Sequence, residues 1–170
     1  RSSDLLHALK EMGLKTVMLT GDSKETAQLI GEKVGIDDVI ARLQPKDKIN
    51  YVKAQEQRHH RVAMVGDGVN DGPALAAASV GFAMGSGTDV AMDAAPITLM
   101  RPDLTLIPQA FNLSKRTFRI IQENLFWAFI FNIVGIGFAA FGHLSPELAG
   151  AAMAASSLLV VTNSLRLKWG

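Results

Sequence analysis

The stretch "RVAMVGDGVNDGPALAAASVGFAM", Arg61 to Met84, decides how this chain is read. "RVAMV" is a continuous apolar run of strand length, the pattern of a strand covered on both faces. It breaks at once into a loop holding two aspartates among glycines. Asp67 follows the strand directly, so its carboxylate is held at the sheet edge; Asp71 lies near the start of a helix. Two carboxylates there suit a hard cation such as Mg²⁺, which takes oxygen ligands and keeps waters for a phosphate to share. Gly66 and Gly68 let the backbone approach a ligand and adopt positive φ. Asn70 can bridge the two carboxylates or hold a ligand through its amide.

Outward from that loop, strands and helices alternate. Leu5, Leu6, Leu9 and Met12 form a helical stripe that Asp4 or Ser3 can cap and Gly13 ends. "KTVMLT" reads as a buried strand, Ser23 to Val34 as a helix stopped by Gly35, and "DDVIAR" as a weak strand. Pro45 opens a third helix to about Gln57, "NDGPALAAA" begins a fourth, and "VGFAM" and "PITLM" are two more strands. Such alternation predicts a parallel sheet covered on both faces, with ligands bound beyond the carboxyl ends of its strands. "TGD" (Thr20–Asp22) and "GDGVND" (Gly66–Asp71) should open onto one edge. Thr20 adds a hydroxyl, the "TGD" backbone adds amides, and "QPKDK" adds a cation, Lys46 or Lys48. Those are the parts phosphoryl transfer needs, a chemistry of positioning and charge neutralisation. Taken singly, each has a plainer reading as a turn, a solvated helix start or a helix cap; their joint occurrence in this order is the specific signal.

Composition sets the tail apart. Of 170 residues 48% are hydrophobic and only 19% charged, and the excess lies at one end. From Phe126 to Leu165 the only formal charge is Glu147. "FWAFIFNIVGIGFAAFGHL" and "LAGAAMAASSLLVVTNSL" are each about long enough to cross a bilayer, and "GHLSPE" allows only a tight turn between them. Lys115, Arg116 and Arg119 precede the pair and Arg166 and Lys168 follow it, which places both outer ends in the cytoplasm. The alternative is a helical pair buried in a soluble protein. A net charge of +1 without a basic aromatic face excludes a nucleic-acid footprint. The absence of cysteine excludes disulfides, CxxC metal sites and a thiol nucleophile within these residues. No signal peptide opens the chain, which starts inside an amphipathic helix and reads as a cut from a longer protein.

"MLTGDSKETA", "QPKDK" and "MVGDGVNDGPALAAASVGFAMGSGTDVA", in this order, resemble the P-type cation ATPases, whose phosphorylation domain has a haloacid-dehalogenase-like, Rossmann-type parallel sheet. The resemblance implies that Asp67 is the principal Mg²⁺ ligand, supported by Asp71 and Asn70. It implies that Lys48 neutralises the phosphorylated aspartate and that Thr20 and Gly21 contact the phosphoryl group, with Asp22 in the same loop. Gly72 stands where alanine is more usual. The nucleophilic aspartate of a "DKTGT" motif and the nucleotide-binding domain for ATP are not found; both are expected in a missing amino-terminal part of the same pump. Without them the fragment is expected to be inactive alone.

The tail resembles the heavy-metal class, specifically its copper(I)-transporting members. Asn132, Met153, Ser156 and Ser157 match that group's membrane motifs, while Phe131 replaces a tyrosine and Gly137 stands where proline is common. Met153, Ser156 and Ser157 share one helix face. Counted from the turn at Leu144–Ser145, Asn132 and Ser157 should reach similar depth, and the soft thioether of Met153 suits Cu(I) or Ag(I). Helix packing and gap filling are the plainer reading of small residues and Met, whereas Asn132 is a costly group at mid-membrane.

The expected organisation is therefore a phosphorylation domain over residues 1–112 and two membrane helices within 113–170, at about 119–143 and 146–166. The expected whole is a multi-pass pump, its phosphorylation domain cytoplasmic, in a bacterial inner or plasma membrane. It would contact lipid and a transported heavy-metal ion, and no nucleic acid. A silver or other heavy-metal pump of the class, a membrane-anchored phosphatase of the same fold and a non-catalytic binding module are the alternatives.

Overall fold

The structure is a computed structural model and describes residues 2–67, 69–85, 89–142 and 145–168. The chain divides into two compact units, Arg1–Pro108 and Gln109–Gly170.

In the first unit, α1 (Ser2–Glu11) stops where Gly13 turns to φ +76°, its amide closing on the Lys10 carbonyl at 2.8 Å. Only glycine adopts that backbone without penalty. β1 (Val17–Leu19) follows, then α2 (Lys24–Val34), whose amino end is capped by the Ser23 hydroxyl accepting from the Thr26 amide and whose carboxyl end is closed by Gly35 at φ +89°. α2 buries Ala27 and Gly31; a Cβ at Gly31 would run into the Val39 side chain of β2 (Asp38–Ile40). α3 (Pro45–Gln57) starts at a capping box, Gln44 with Asp47, with proline in its first turn.

β3 (Ala63–Gly66) leads through a 3₁₀ turn (Val69–Asp71) into α4 (Gly72–Ala77), then β4 (Val80–Met84), α5 (Asp89–Ala94) and β5 (Ile97–Leu99). All pairings are parallel, but they form two ladders, β1–β2 and β3–β4–β5, where the sequence suggests one continuous sheet. No described strand pairs with both β1 and β3, so the backbone bonds that would join the ladders are not made among the described residues. α5 is an element the sequence reading did not include.

Val52 of α3, Met64 of β3, Ala74 and Leu75 of α4 and Ala83 of β4 pack as one core. Phe82, Leu75 and Val52 are the largest fully buried side chains among the described residues, each contributing about 1.5–3 kcal/mol through burial. This core fixes the height of the loop after β3. Glu56 fixes the opposite end: its carboxylate accepts from the Val62 amide (2.9 Å), the Ser79 amide (2.8 Å) and the Ser79 hydroxyl (2.8 Å), tying α3 to the approaches of β3 and β4. Those bonds, the Ser79 hydroxyl foremost, hold the Glu56 carboxyl below its ordinary range.

In the second unit, α6 (Leu106–Ala140, entering from the first unit) and α7 (Pro146–Leu165) are the two long apolar helices. α6 extends well ahead of the apolar run, through the basic stretch at Lys115–Arg119. At about 1.5 Å per residue α7 spans about 30 Å, the thickness of a bilayer core. None of either apolar window is buried, unlike the core helix of a soluble domain.

Candidate functional site

The residues picked from sequence in the first unit lie at the carboxyl ends of parallel strands or beside them. Asp67 follows β3 immediately; its side chain is exposed and makes no hydrogen bond or ion pair among the described residues. Asp71 closes the 3₁₀ turn and is half-buried. Its Oδ1 accepts from Lys48 Nζ at 2.8 Å, with the lysine and aspartate side chains only 20% and 14% exposed. Lys48 stands on the first turns of α3 and is the lysine of "QPKDK" that meets Asp71, while Lys46 is exposed. Asn70 is exposed on the same turn. Gly68 lies outside the described residues.

Gly66 makes this arrangement possible. A Cβ there would come within 2.7 Å of Asp71 Cβ and 3.1 Å of its Oδ2. The absent side chain is what lets the second carboxylate fold back against the strand end, with Asp67 left facing outward. Gly66 thus makes room for Asp71 by close approach.

The "TGD" loop follows β1. Thr20 Oγ1 donates to Asp22 Oδ2 at 2.8 Å and accepts from the Asp22 amide at 3.1 Å, so the loop is rigidified by its own side chains. Gly21 packs under the Leu43 carbonyl, 3.3 Å from where a Cβ would be. The Leu43 amide donates to the Thr20 carbonyl at 3.0 Å, and Gln44, next in the chain, caps α3. The hydroxyl loop, the helix carrying Lys48 and the Asp71 turn are thereby connected through successive contacts, and Lys48 links α3 to the end of β3.

Chemically the turn after β3 offers an exposed carboxylate and a carboxylate–ammonium pair of low exposure, and the loop after β1 offers a hydroxyl and backbone amides. The donor set fits a hard oxygen-seeking cation: Asp67 is available, the second oxygen of Asp71 remains, and waters or a phosphate would complete the shell. No cluster of three or more His, Cys, Asp or Glu is found among the described residues.

The membrane-motif residues are not gathered in the same way. Asn132 is exposed and donates its amide to the Ala128 carbonyl of its own helix at 2.9 Å. Met153 is 73% exposed, Ser157 is exposed and Ser156 is half-buried. The half-buried positions of α6 recur as Asn124, Ala128, Phe131 and Gly135, and those of α7 as Ala152, Ser156, Val160 and Asn163. Asn132, Met153 and Ser157 fall off these stripes. Of the turn at Leu144–Ser145, Leu144 lies outside the described residues; Ser145 caps α7 by accepting from the Leu148 amide at 3.3 Å. The sequence reading passed over Glu123, Asn124 and Asn163, which join the two helices; the offset of about 40 residues between two Asn-containing polar pairs at the outer ends of the apolar runs was the available signal.

Residues 1–79 match the model of the haloacid dehalogenase-like hydrolases. The chain is 54% identical over 167 residues to a copper-exporting P-type ATPase of Staphylococcus aureus (strain JH9) and 52% identical over 167 residues to one of Staphylococcus haemolyticus (strain JCSC1435). Each alignment covers 98% of this chain and 21% of the relative, so the chain spans about a fifth of the length of the curated relatives it matches. In three dimensions it is similar to a zinc-transporting PIB-type ATPase solved in an E2.Pi state, with TM-score 0.90 and 36% identity over 97% of this chain and 27% of that one.

Proposed function

We propose, from the premise that this chain is a segment of a heavy-metal P-type ATPase, that its first unit carries the phosphorylation-site machinery of a Cu(I)-exporting pump and its second unit two membrane helices of the ion path. The observation that carries the reading is the edge beyond β3: Asp67 exposed, Asp71 seated against Gly66 and paired with Lys48 at 2.8 Å. Asp67, Asp71 and Asn70 would hold Mg²⁺, whose charge would offset that of a phosphoryl oxygen. Lys48, kept at the edge by Asp71, supplies an ammonium for the charge on a phosphorylated carboxylate donated by another part of the pump. The Gly21 amide and the Thr20 hydroxyl, the latter on release from Asp22, would orient phosphoryl oxygens, with Asp22 holding the loop. Nucleotide binding falls to parts of the pump beyond this segment.

The metal assignment rests on chemistry and on likeness. Met153 is a soft thioether, suited to Cu(I) or Ag(I) and poorly to Zn²⁺. The staphylococcal relatives named for copper share more identity with the chain than the zinc transporter does. Asn132, Ser156 and Ser157 are the polar groups that accompany the thioether. Two exposed apolar helices and the basic residues at their outer ends support a multi-pass protein in lipid, with the first unit on the cytoplasmic side.

The test is Asp67→Asn in the whole pump. A neutral amide binds a hard cation weakly, so Mg²⁺-dependent phosphoenzyme should fall by at least about a hundredfold, comparable to losing a principal electrostatic group. Wild-type phosphoenzyme levels in this variant would refute the assignment.

A further inference from the structure

The polar groups that join the hairpin are concentrated at its outer end. Asn163 Nδ2 donates to Glu123 Oε2 at 3.1 Å and to Asn124 Oδ1 at 2.9 Å, and its Oδ1 accepts from Arg166 at 2.8 Å. Asn124 Nδ2 donates to Ser164 Oγ at 2.9 Å, and Arg166 reaches Glu123 at 3.2 Å. Glu123, Asn124, Asn163 and Ser164 are all half-buried. The rest of the half-buried stripe is mostly small or apolar, Ala128, Phe131 and Gly135 on α6 and Ala152, Ser156 and Val160 on α7. Contacts of that kind hold helices together but tolerate sliding.

We infer that Asn163 is a positioning residue for the transported metal: the knot it centres fixes the register of α7 against α6. This rests on the proposed metal-ligand role of Asn132, Met153 and Ser156. Asn132 lies eight residues beyond Asn124 (132 − 124) and Ser156 eight before Ser164 (164 − 156), so the Asn124–Ser164 bond puts them at one level, about 12 Å from the knot. A slip of one residue moves α7 by about 1.5 Å. Metal–ligand distances tolerate about 0.2 Å. The same slip breaks the four bonds of the knot that cross from one helix to the other, at 2.9–3.2 Å; the Asn163–Arg166 bond lies at the end of α7 and moves with it. Asn163 touches no metal; it acts through the helix that carries Met153 and Ser156.

The experiment uses the whole pump in lipid vesicles, with Asn163→Leu, similar in size and unable to hydrogen-bond, and with Glu123→Arg and Arg166→Glu singly and together. An Asn163 amide can flip to serve the reversed pair. Two quantities are read: the Cu(I) concentration for half-maximal phosphoenzyme formation from ATP, and phosphorylation by inorganic phosphate without copper. Asn163→Leu should raise the half-maximal Cu(I) about 10-fold or more, the scale seen when a ligand's supporting residue is lost, while phosphorylation by inorganic phosphate stays at the wild-type level. Each single reversal should do the same and the double reversal should recover most of the loss. An unchanged half-maximal Cu(I) in Asn163→Leu overturns the inference, as does a double reversal no better than the singles. If Asn163→Leu fails to accumulate, the reversal pair decides. Met153→Leu separates the two readings. If it shifts the Cu(I) response and Asn163→Leu does not, only the register role falls. If Met153→Leu changes nothing, the metal assignment falls and the register role falls with it.

Discussion

A Cβ added at Gly66, Gly81 or Gly85 of the first unit would stand 2.7 Å from Asp71, 2.8 Å from the Leu75 carbonyl or 2.6 Å from the Leu99 carbonyl. One added at Gly135, Gly137 or Gly150 of the hairpin meets nothing within 4 Å among the described residues. At these positions glycine marks close approach in the first unit and room for a side chain in the hairpin. The first unit is positioned by its own packing: side chains pressed against strand ends, a buried core, and the Glu56 and Asp37 carboxylates each held by several donors. The hairpin is tied at one end by a polar knot and otherwise presents apolar surface outward, including Phe129, Ile133, Ile136 and Phe138.

Gly66→Ala is the strongest way to break the comparison. The methyl must displace Asp71, loosening its pair with Lys48, and overpacking of this kind costs about 1–3 kcal/mol. Phosphoenzyme formation should drop along with the melting temperature. Normal phosphoenzyme in Gly66→Ala would mean that Asp71 does not need its present seat.

Glu56→Ala removes three bonds at the far ends of β3 and β4 and leaves two amides and a hydroxyl to water. Thermal melts at neutral pH should show a smaller loss than for Gly66→Ala, with phosphorylation retained in the protein that remains folded.

Smaller again is Asp37→Asn. The Thr16 amide, Lys10 and the Thr16 hydroxyl all favour the ionised carboxylate, which is held far below its ordinary range. A depressed folded value contributes stability above the unfolded value of about 3.9 and loses it as pH falls through the folded one. The wild type should therefore melt above Asp37→Asn at pH 7, and the gap should shrink as pH is lowered from about 4 toward strongly acid conditions. A gap independent of pH would show that the carboxylate's charge is not what matters.

Gly137→Ala should do least. Alanine is the better helix former by about 1 kcal/mol and finds open space, so stability and copper stimulation should stay near wild type. A marked loss in the whole pump would sharpen the picture by locating another helix against that position.

Much of the first unit was legible because its punctuation is chemical. Gly13 and Gly35 end helices in left-handed backbone, Ser23 caps α2, and Pro45 opens α3. α5 escaped notice because "DVAMDA" is one turn and a half, too short for a helical period to show. The single sheet inferred from strand order resolved into two ladders, since strand order along a sequence does not reveal which strands exchange backbone bonds. On the hairpin, spacing along α7 placed Met153, Ser156 and Ser157 on one face but could not tell that Ser156 alone falls on the half-buried stripe.

By itself the sequence determined the kinds of element, the loops that bear carboxylate, hydroxyl and ammonium, and the two spans of lipid-compatible length, because these follow from local periodicity and residue chemistry. Only the tertiary structure decided that Lys48 rather than Lys46 meets Asp71, that Gly66 makes room for that carboxylate, and that Glu123, Asn124, Asn163, Ser164 and Arg166 form one knot. Apart from the Asn163–Arg166 bond, these contacts join groups 5 to 43 residues apart in the chain, and such contacts depend on how elements pack, which no local pattern encodes.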